Sequence, residues 1–116
     1  MILDKKHALQ QKLFRQFAET EFTKELQDEL DLTGEFNWEM HKKMARYGFM
    51  GTKIPAEYGG AGGDSLSYVL MDEEFARQDL VLAIYANTSN SLGGGPLMLA
   101  GSKEQKEKYL PLVASG

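Results

Sequence analysis

Apolar and polar positions follow a helical period along most of the chain. Between Lys5 and Phe22, Leu9, Leu13 and Phe17 recur every four residues and draw one apolar stripe, with Asp4 placed as an N-cap. Leu26, Leu30 and Leu32 follow among Glu25, Asp28, Glu29 and Asp31, up to Gly34, in a stretch expected to be a partly helical connection. Asn37 caps a second predicted helix, Trp38 to Tyr47. Lys42, Lys43 and Arg46 stand in its last turns, where cations complement the helix dipole, and Gly48 stops it. Phe49 to Ile54 is short and apolar and is expected to be extended. A third helix is predicted over Ser65 to Gln78. Its apolar residues fall nearly all round the helical wheel, which places it centrally in a bundle. A fourth is predicted over Leu80 to Leu92. Gly93-Gly94-Gly95-Pro96 is expected to break it, before a short helical turn from Leu97 to Ala100 that ends at Gly101. Ser102, with Gln105 three residues on, forms a capping box for a last helix, Lys103 to Leu112. Five or six helices with no strand pair predict an all-α fold, a compact orthogonal bundle.

Composition narrows the function. The 116 residues make one domain, 42% hydrophobic and 26% charged, as in ordinary globular proteins. A formal charge of −4 opposes binding to nucleic acid or to anionic membranes. The chain has no cysteine, which removes disulfides, thiolate catalysis and cysteine-based metal sites. No apolar run reaches membrane-spanning length. The first residues lack the apolar core of a secretion signal, and a cytoplasmic location is expected. The end at Ala114-Ser115-Gly116, soon after a helix, reads as a domain boundary.

Four features carry candidate chemistry. Ile54-Pro55-Ala56-Glu57-Tyr58-Gly59-Gly60-Ala61-Gly62-Gly63-Asp64 packs four glycines into five residues. No lysine follows them as a phosphate loop requires, and the dinucleotide spacing fails at its sixth position. A turn that needs positive φ is the expected role, with Pro55 stiffening its start. His7 and His41 lack neighbours at metal-ligand spacing and are expected at exposed helix positions. Glu73 falls between Leu66, Val69 and Leu70 on the wheel, with Arg77 one turn on, and is expected to form an ion pair at the core's edge. Val81, Tyr85, Thr88 and Leu92 share one stripe of the fourth helix, beside the small residues Asn87-Thr88-Ser89-Asn90-Ser91. Periodicity leaves two readings of it open, the wall of an apolar ligand cavity and ordinary helix packing.

Taken in order, several segments resemble the N-terminal domain of the acyl-CoA dehydrogenases. They are Gly34-Glu35-Phe36, Gly48-Phe49-Met50-Gly51 and Ile54-Pro55-Ala56-Glu57-Tyr58-Gly59-Gly60 with Gly62. Glu73-Glu74-Phe75-Ala76-Arg77 with Asp79 and Asn90-Ser91-Leu92-Gly93 with Pro96 come next. Gly101-Ser102-Lys103-Glu104-Gln105-Lys106 and Lys108-Tyr109-Leu110-Pro111 close the series. Ala56 departs from the pattern, where an acidic residue is common. The resemblance implies that residues 1–116 are the N-terminal helical domain of a longer flavoenzyme, with a middle β-domain and a C-terminal helical domain beyond this chain. It implies FAD and the catalytic glutamate in those other regions, with no catalytic, cofactor-binding or metal-binding residue here. It implies α,β-dehydrogenation of an acyl-CoA thioester, or the reverse reduction, with an electron-transfer flavoprotein or similar acceptor and a homotetramer. Registered on Asn90-Ser91-Leu92-Gly93, the family's acyl-cavity positions fall at Ile84, Tyr85, Thr88, Ser89 and Leu92, and bulky Tyr85 with Thr88 points to a short or polar-ended acyl group. The alternative is a stand-alone helical module that binds a ligand or partner without catalysis. The reading frame beyond Gly116 separates the two: the first predicts roughly 250 further residues.

Overall fold

The computed structural model describes residues 2–116. Each long helix starts on a side-chain cap that satisfies an orphan backbone N–H. Asp4 accepts from the backbone N–H of His7 and starts α1, Lys5–Glu21. Thr23 starts α2, Lys24–Thr33, which closes on Gly34 at φ 68°. Asn37 starts α3, Trp38–Arg46. Asp64 starts α4, Ser65–Gln78, and Asp79 starts α5, Leu80–Asn87. A π-helical turn, Thr88–Gly93, runs directly into α6, Gly94–Ala100. Both halves of the capping box are formed at Ser102, before α7, Lys103–Ser115. With α5, the π turn and α6 counted as one rod, six helical rods and no strand occur among the described residues.

The rods build a slab about 43 × 38 × 19 Å, two helices thick at its thinnest. α4 lies centrally, packed on α1 along one side and on α5 along another. Phe14, Phe17, Met44, Met50, Met71, Phe75 and Leu82 fill the main core. Phe49 meets Phe14, Phe17 and Phe75 edge to face at 5.6, 4.9 and 5.4 Å, an arrangement the ring quadrupoles favour. A second cluster, Ile54, Leu110 and Ala114, seats α7 on the glycine loop.

The structure corrects several expectations. Leu9 and Leu13 are half exposed, while His7, Phe14, Phe17 and Ala18 form the buried face of α1. That face is fixed by α4, through Ser67 to Gln10 and Arg15 to Glu74. Lys24 to Thr33 is helical throughout. Phe49–Gly51 is a 3₁₀ turn, not an extended segment. The glycines at 93–95 do not break the rod. A Cβ at Gly93 would stand 3.1 Å from Thr88 O, and one at Gly94 2.9 Å from Ser89 O, so glycine here lets the helix widen into the π turn and continue.

Candidate functional site

Two packed elements create the cavity at the predicted stripe. The loop before α3 is pinned to α5: the backbone N–H of Asn37 donates to Tyr85 Oη at 3.0 Å, and Phe36 stacks on Tyr85 with centroids 4.4 Å apart. Between them lies a cavity of about 200 Å³, lined by Phe36, His41, Ile84, Tyr85, Thr88 and Ser89. The structure therefore brings Ile84, Tyr85, Thr88 and Ser89 around one space. Leu92 lies outside it, exposed on the π turn, and Val81 is also exposed. Thr88 Oγ1 donates to Ile84 O at 2.8 Å, so its methyl group and not its proton is free for packing.

The π turn begins with Thr88 and Ser89, which line the cavity. Asn90 holds it to the rest of the fold. Its amide oxygen accepts from Lys53 N–H at 3.1 Å, and its amide nitrogen donates to Phe49 O and Ala86 O at 2.7 and 3.0 Å. π turns inside helices are frequent at functional sites, and this one places Ser89 toward the cavity.

Phe36 and His41 were not among the predicted wall residues. Phe36 carried a family signal without a role, and His41 carried none. His41 is half buried, not exposed as its sequence context suggested, with its ring 5.6 Å from Phe36 and 5.7 Å from Trp38. Burial holds its pKa below the ordinary value, so the ring is neutral at pH 7. His7 is also buried, against expectation. Its Nδ1 meets Asp4 and its Nε2 meets Asp64, both at 2.9 Å, so one imidazolium ties together the N-caps of α1 and α4. These carboxylates, Asp4 first, raise its pKa. In turn Asp64, bonded chiefly to Ser67 and also to His7, stays well below the usual carboxylate range.

The buried carboxylate of α4 is Glu74, one residue beyond the expected Glu73, which is exposed. Arg15 grips Glu74 with two bonds of 2.8 Å, and Arg77 lies 3.6 Å away. A second polar group sits between α4 and α5. Asn87 Nδ2 donates to Tyr68 Oη and Asp72 Oδ2 at 2.6 and 3.2 Å, and burial raises the Asp72 pKa.

The glycine loop fits no phosphate or flavin. The N–H groups of Gly60, Ala61, Gly62 and Gly63 donate to the chain's own Pro55, Gly51, Ile54 and Thr52 carbonyls. No run of free donors is left to form an anion nest. A Cβ at Gly60 would fall 1.9 Å from Ile54 O, so the chain itself fills the hollow. The described residues contain no grouping of three His, Asp or Glu able to hold a metal ion. No described helix is long and apolar enough to cross a membrane.

Comparison with known proteins gives one consistent family. The model for the acyl-CoA dehydrogenase N-terminal domain matches residues 4–116. Subunit CarC of the caffeyl-CoA reductase-Etf complex of Acetobacterium woodii is 48% identical over all of this chain and 31% of its own length. The 3-(aryl)acrylate reductase of Clostridium sporogenes is 48% identical over all of this chain and 30% of its own. The acyl-CoA dehydrogenase of Bacillus anthracis, solved in complex with FAD, superposes with a TM-score of 0.81 at 33% identity, over 97% of this chain and 19% of that one. The chain thus spans under a third of the length of these relatives.

Proposed function

Because the chain belongs to the acyl-CoA dehydrogenase family and forms its N-terminal domain, we propose that it is one wall of the acyl site in a flavoenzyme that reduces arylacryloyl-CoA thioesters. The remaining polypeptide carries, on this reading, a middle β-domain, a C-terminal helical domain, the FAD site and the glutamate that moves the α proton. FAD supplies hydride transfer at the β carbon. Phe36, His41, Ile84, Tyr85, Thr88 and Ser89 supply this chain's share of the acyl surface, and none of them does chemistry. An electron-transfer flavoprotein serves as redox partner, the assembly is a homotetramer, and the location is cytoplasmic.

The observation that carries the substrate class is the cavity between Phe36, stacked on Tyr85, and the start of the π turn. Its volume of about 200 Å³ suffices for an aromatic ring, since a dry cavity of about 150 Å³ holds benzene. The stacked Phe36 and Tyr85 rings both border it, an aromatic lining against which a further ring packs with more contact than a short alkyl chain. The names of the two relatives at 48% identity, caffeyl-CoA reductase and 3-(aryl)acrylate reductase, agree with this class.

The test compares kcat/KM of the full-length enzyme for phenylacryloyl-CoA and crotonyl-CoA. The aryl thioester is expected to be preferred by at least roughly 10-fold, since each methylene-sized contact in an apolar pocket discriminates by about 10-fold or more. Thr88→Glu, which sets a carboxylate into the wall, is expected to remove that preference. Equal use of both thioesters by the wild type overturns the assignment.

A further inference from the structure

Of the stacked pair of rings that line the cavity, Tyr85 belongs to the main core and Phe36 does not. Tyr85 is 8% exposed and Phe36 46%. Phe36 stands on a four-residue loop, Gly34 to Asn37, between α2 and α3. Its ring lies 4.4 Å from Tyr85 and 4.7 Å from Trp38, which is also exposed. Exposed apolar residues gathered in one place mark binding surfaces, and a ring this open has surface to give to a ligand.

The loop is held by a bond that α3 does not make for itself. At α7 the third helical residue, Gln105, accepts from the backbone N–H of the cap residue Ser102 at 2.9 Å. The same position of α3 is Met40, which has no side-chain oxygen to accept with. The backbone N–H of the cap residue Asn37 donates instead to Tyr85 Oη on α5, at 3.0 Å. The residue next to Phe36 is thereby tied to the same ring on which Phe36 stacks.

We propose that Phe36 is a specificity-determining residue, whose ring packs against the aryl group of the substrate, and that the Tyr85 hydroxyl is the positioning group that holds it there. The proposal rests on the aryl-site reading above. Its physical basis is order fixed in advance. A ring on a free loop loses conformational freedom when a ligand orders it, and that loss is subtracted from the binding free energy. A ring already pinned loses little, so its contact with an aryl group is available in full. A crotonyl chain has no ring and gains little from either arrangement. The aryl preference therefore depends on Phe36 through its ring and on Tyr85 through its hydroxyl, and the second effect acts through the first.

The experiment uses the full-length flavoenzyme. The readout is the ratio of kcat/KM for phenylacryloyl-CoA over crotonyl-CoA within each variant, which a uniform loss of activity does not change. Phe36→Leu and Phe36→Met keep an apolar side chain and remove the ring, and two such variants guard against one that fails to fold. Each is expected to lower the ratio by about 3- to 10-fold, the worth of one aromatic pair. Phe36→Tyr keeps the ring and retains the preference. Tyr85→Phe keeps the ring of the wall, removes the pin, and lowers the ratio by at least about 2-fold. Combined with Phe36→Leu it lowers the ratio no further than Phe36→Leu alone, since the hydroxyl acts through Phe36. An unchanged ratio in a ringless variant or in Tyr85→Phe, or losses that multiply in the double variant, overturns the proposal. If the wild type uses phenylacryloyl-CoA no better than crotonyl-CoA, the aryl site itself falls and the role of Phe36 with it. A wild-type aryl preference that survives removal of the ring removes the role of Phe36 alone.

Discussion

Arg15→Leu tests the charge arrangement that joins α1 to α4. The Glu74 side chain is 2% exposed and Arg15 is 46% exposed, and the two share a bidentate pair of 2.8 Å bonds. Removing one partner of a buried pair costs about 3–5 kcal/mol, chiefly because the other charge stays buried and unpaired. Two features place the expected loss at the lower end. Arg15 is half solvated, and Arg77 remains 3.6 Å from Glu74 to take part of the charge. A loss of about 3 kcal/mol follows, read by urea unfolding at pH 7 with far-UV circular dichroism. The partner change is asymmetric. Glu74→Leu leaves an arginine that rehydrates, and Arg15→Leu with Glu74→Leu leaves no buried charge. The double variant is therefore expected to be more stable than Arg15→Leu alone. The pH dependence has a definite sign. Arg15 holds the Glu74 pKa below its reference value of 4.5, so the pair's contribution is present above that pH and fades as pH falls through the lower folded value. The gap between wild type and Arg15→Leu narrows correspondingly in acid. A loss under about 1 kcal/mol, typical of exposed ion pairs, or a double variant as damaged as the sum of its parts, refutes the reasoning.

His7→Gln is expected to cost more stability at pH 6 than at pH 9. The folded pKa is raised above 6.5, so the stabilisation is complete below that value and lost as pH rises through the folded pKa. An NMR titration of the His7 ring at or below its reference value contradicts this. Gly60→Ala is expected to cost about 3 kcal/mol or more, because its Cβ meets the Ile54 carbonyl at 1.9 Å. Gly59→Ala has open space and only a left-handed φ of 83° to tolerate, and costs about 1 kcal/mol. Equal midpoints in thermal unfolding would show that the loop can rearrange. Asn90→Ala removes three hydrogen bonds from a residue 3% exposed and is expected to cost about 3 kcal/mol in the same assay.

What the sequence revealed, and where it misled, has physical causes in particular residues. Caps are local, so Asp4, Asn37 and Ser102 were legible as helix starts and are found as such. The phase of α4 was not legible. With apolar residues nearly all round its wheel there is no polar side to orient it, and a 100° step separates exposed Glu73 from buried Glu74. Gly93-Gly94-Gly95-Pro96 looked like a stop because glycine and proline usually end α-helices. The π turn reverses that logic. There the ladder changes step and glycines accept the close carbonyls of Thr88 and Ser89, so the rod continues into α6 with Pro96 inside it.

The cavity depends on contacts between residues distant in sequence. Asn37 and Tyr85 are 48 positions apart, and their bond brings Phe36 over Tyr85 and α3 beside α5. A single helical stripe reveals one side of such a space and nothing of the side opposite. Ile84, Tyr85, Thr88 and Ser89 were therefore available from periodicity and family register, and Phe36 and His41 were not. The side opposite is formed by Phe36 and His41. The part of the space that periodicity could not reach is thus the part that contacts distant in sequence bring into place.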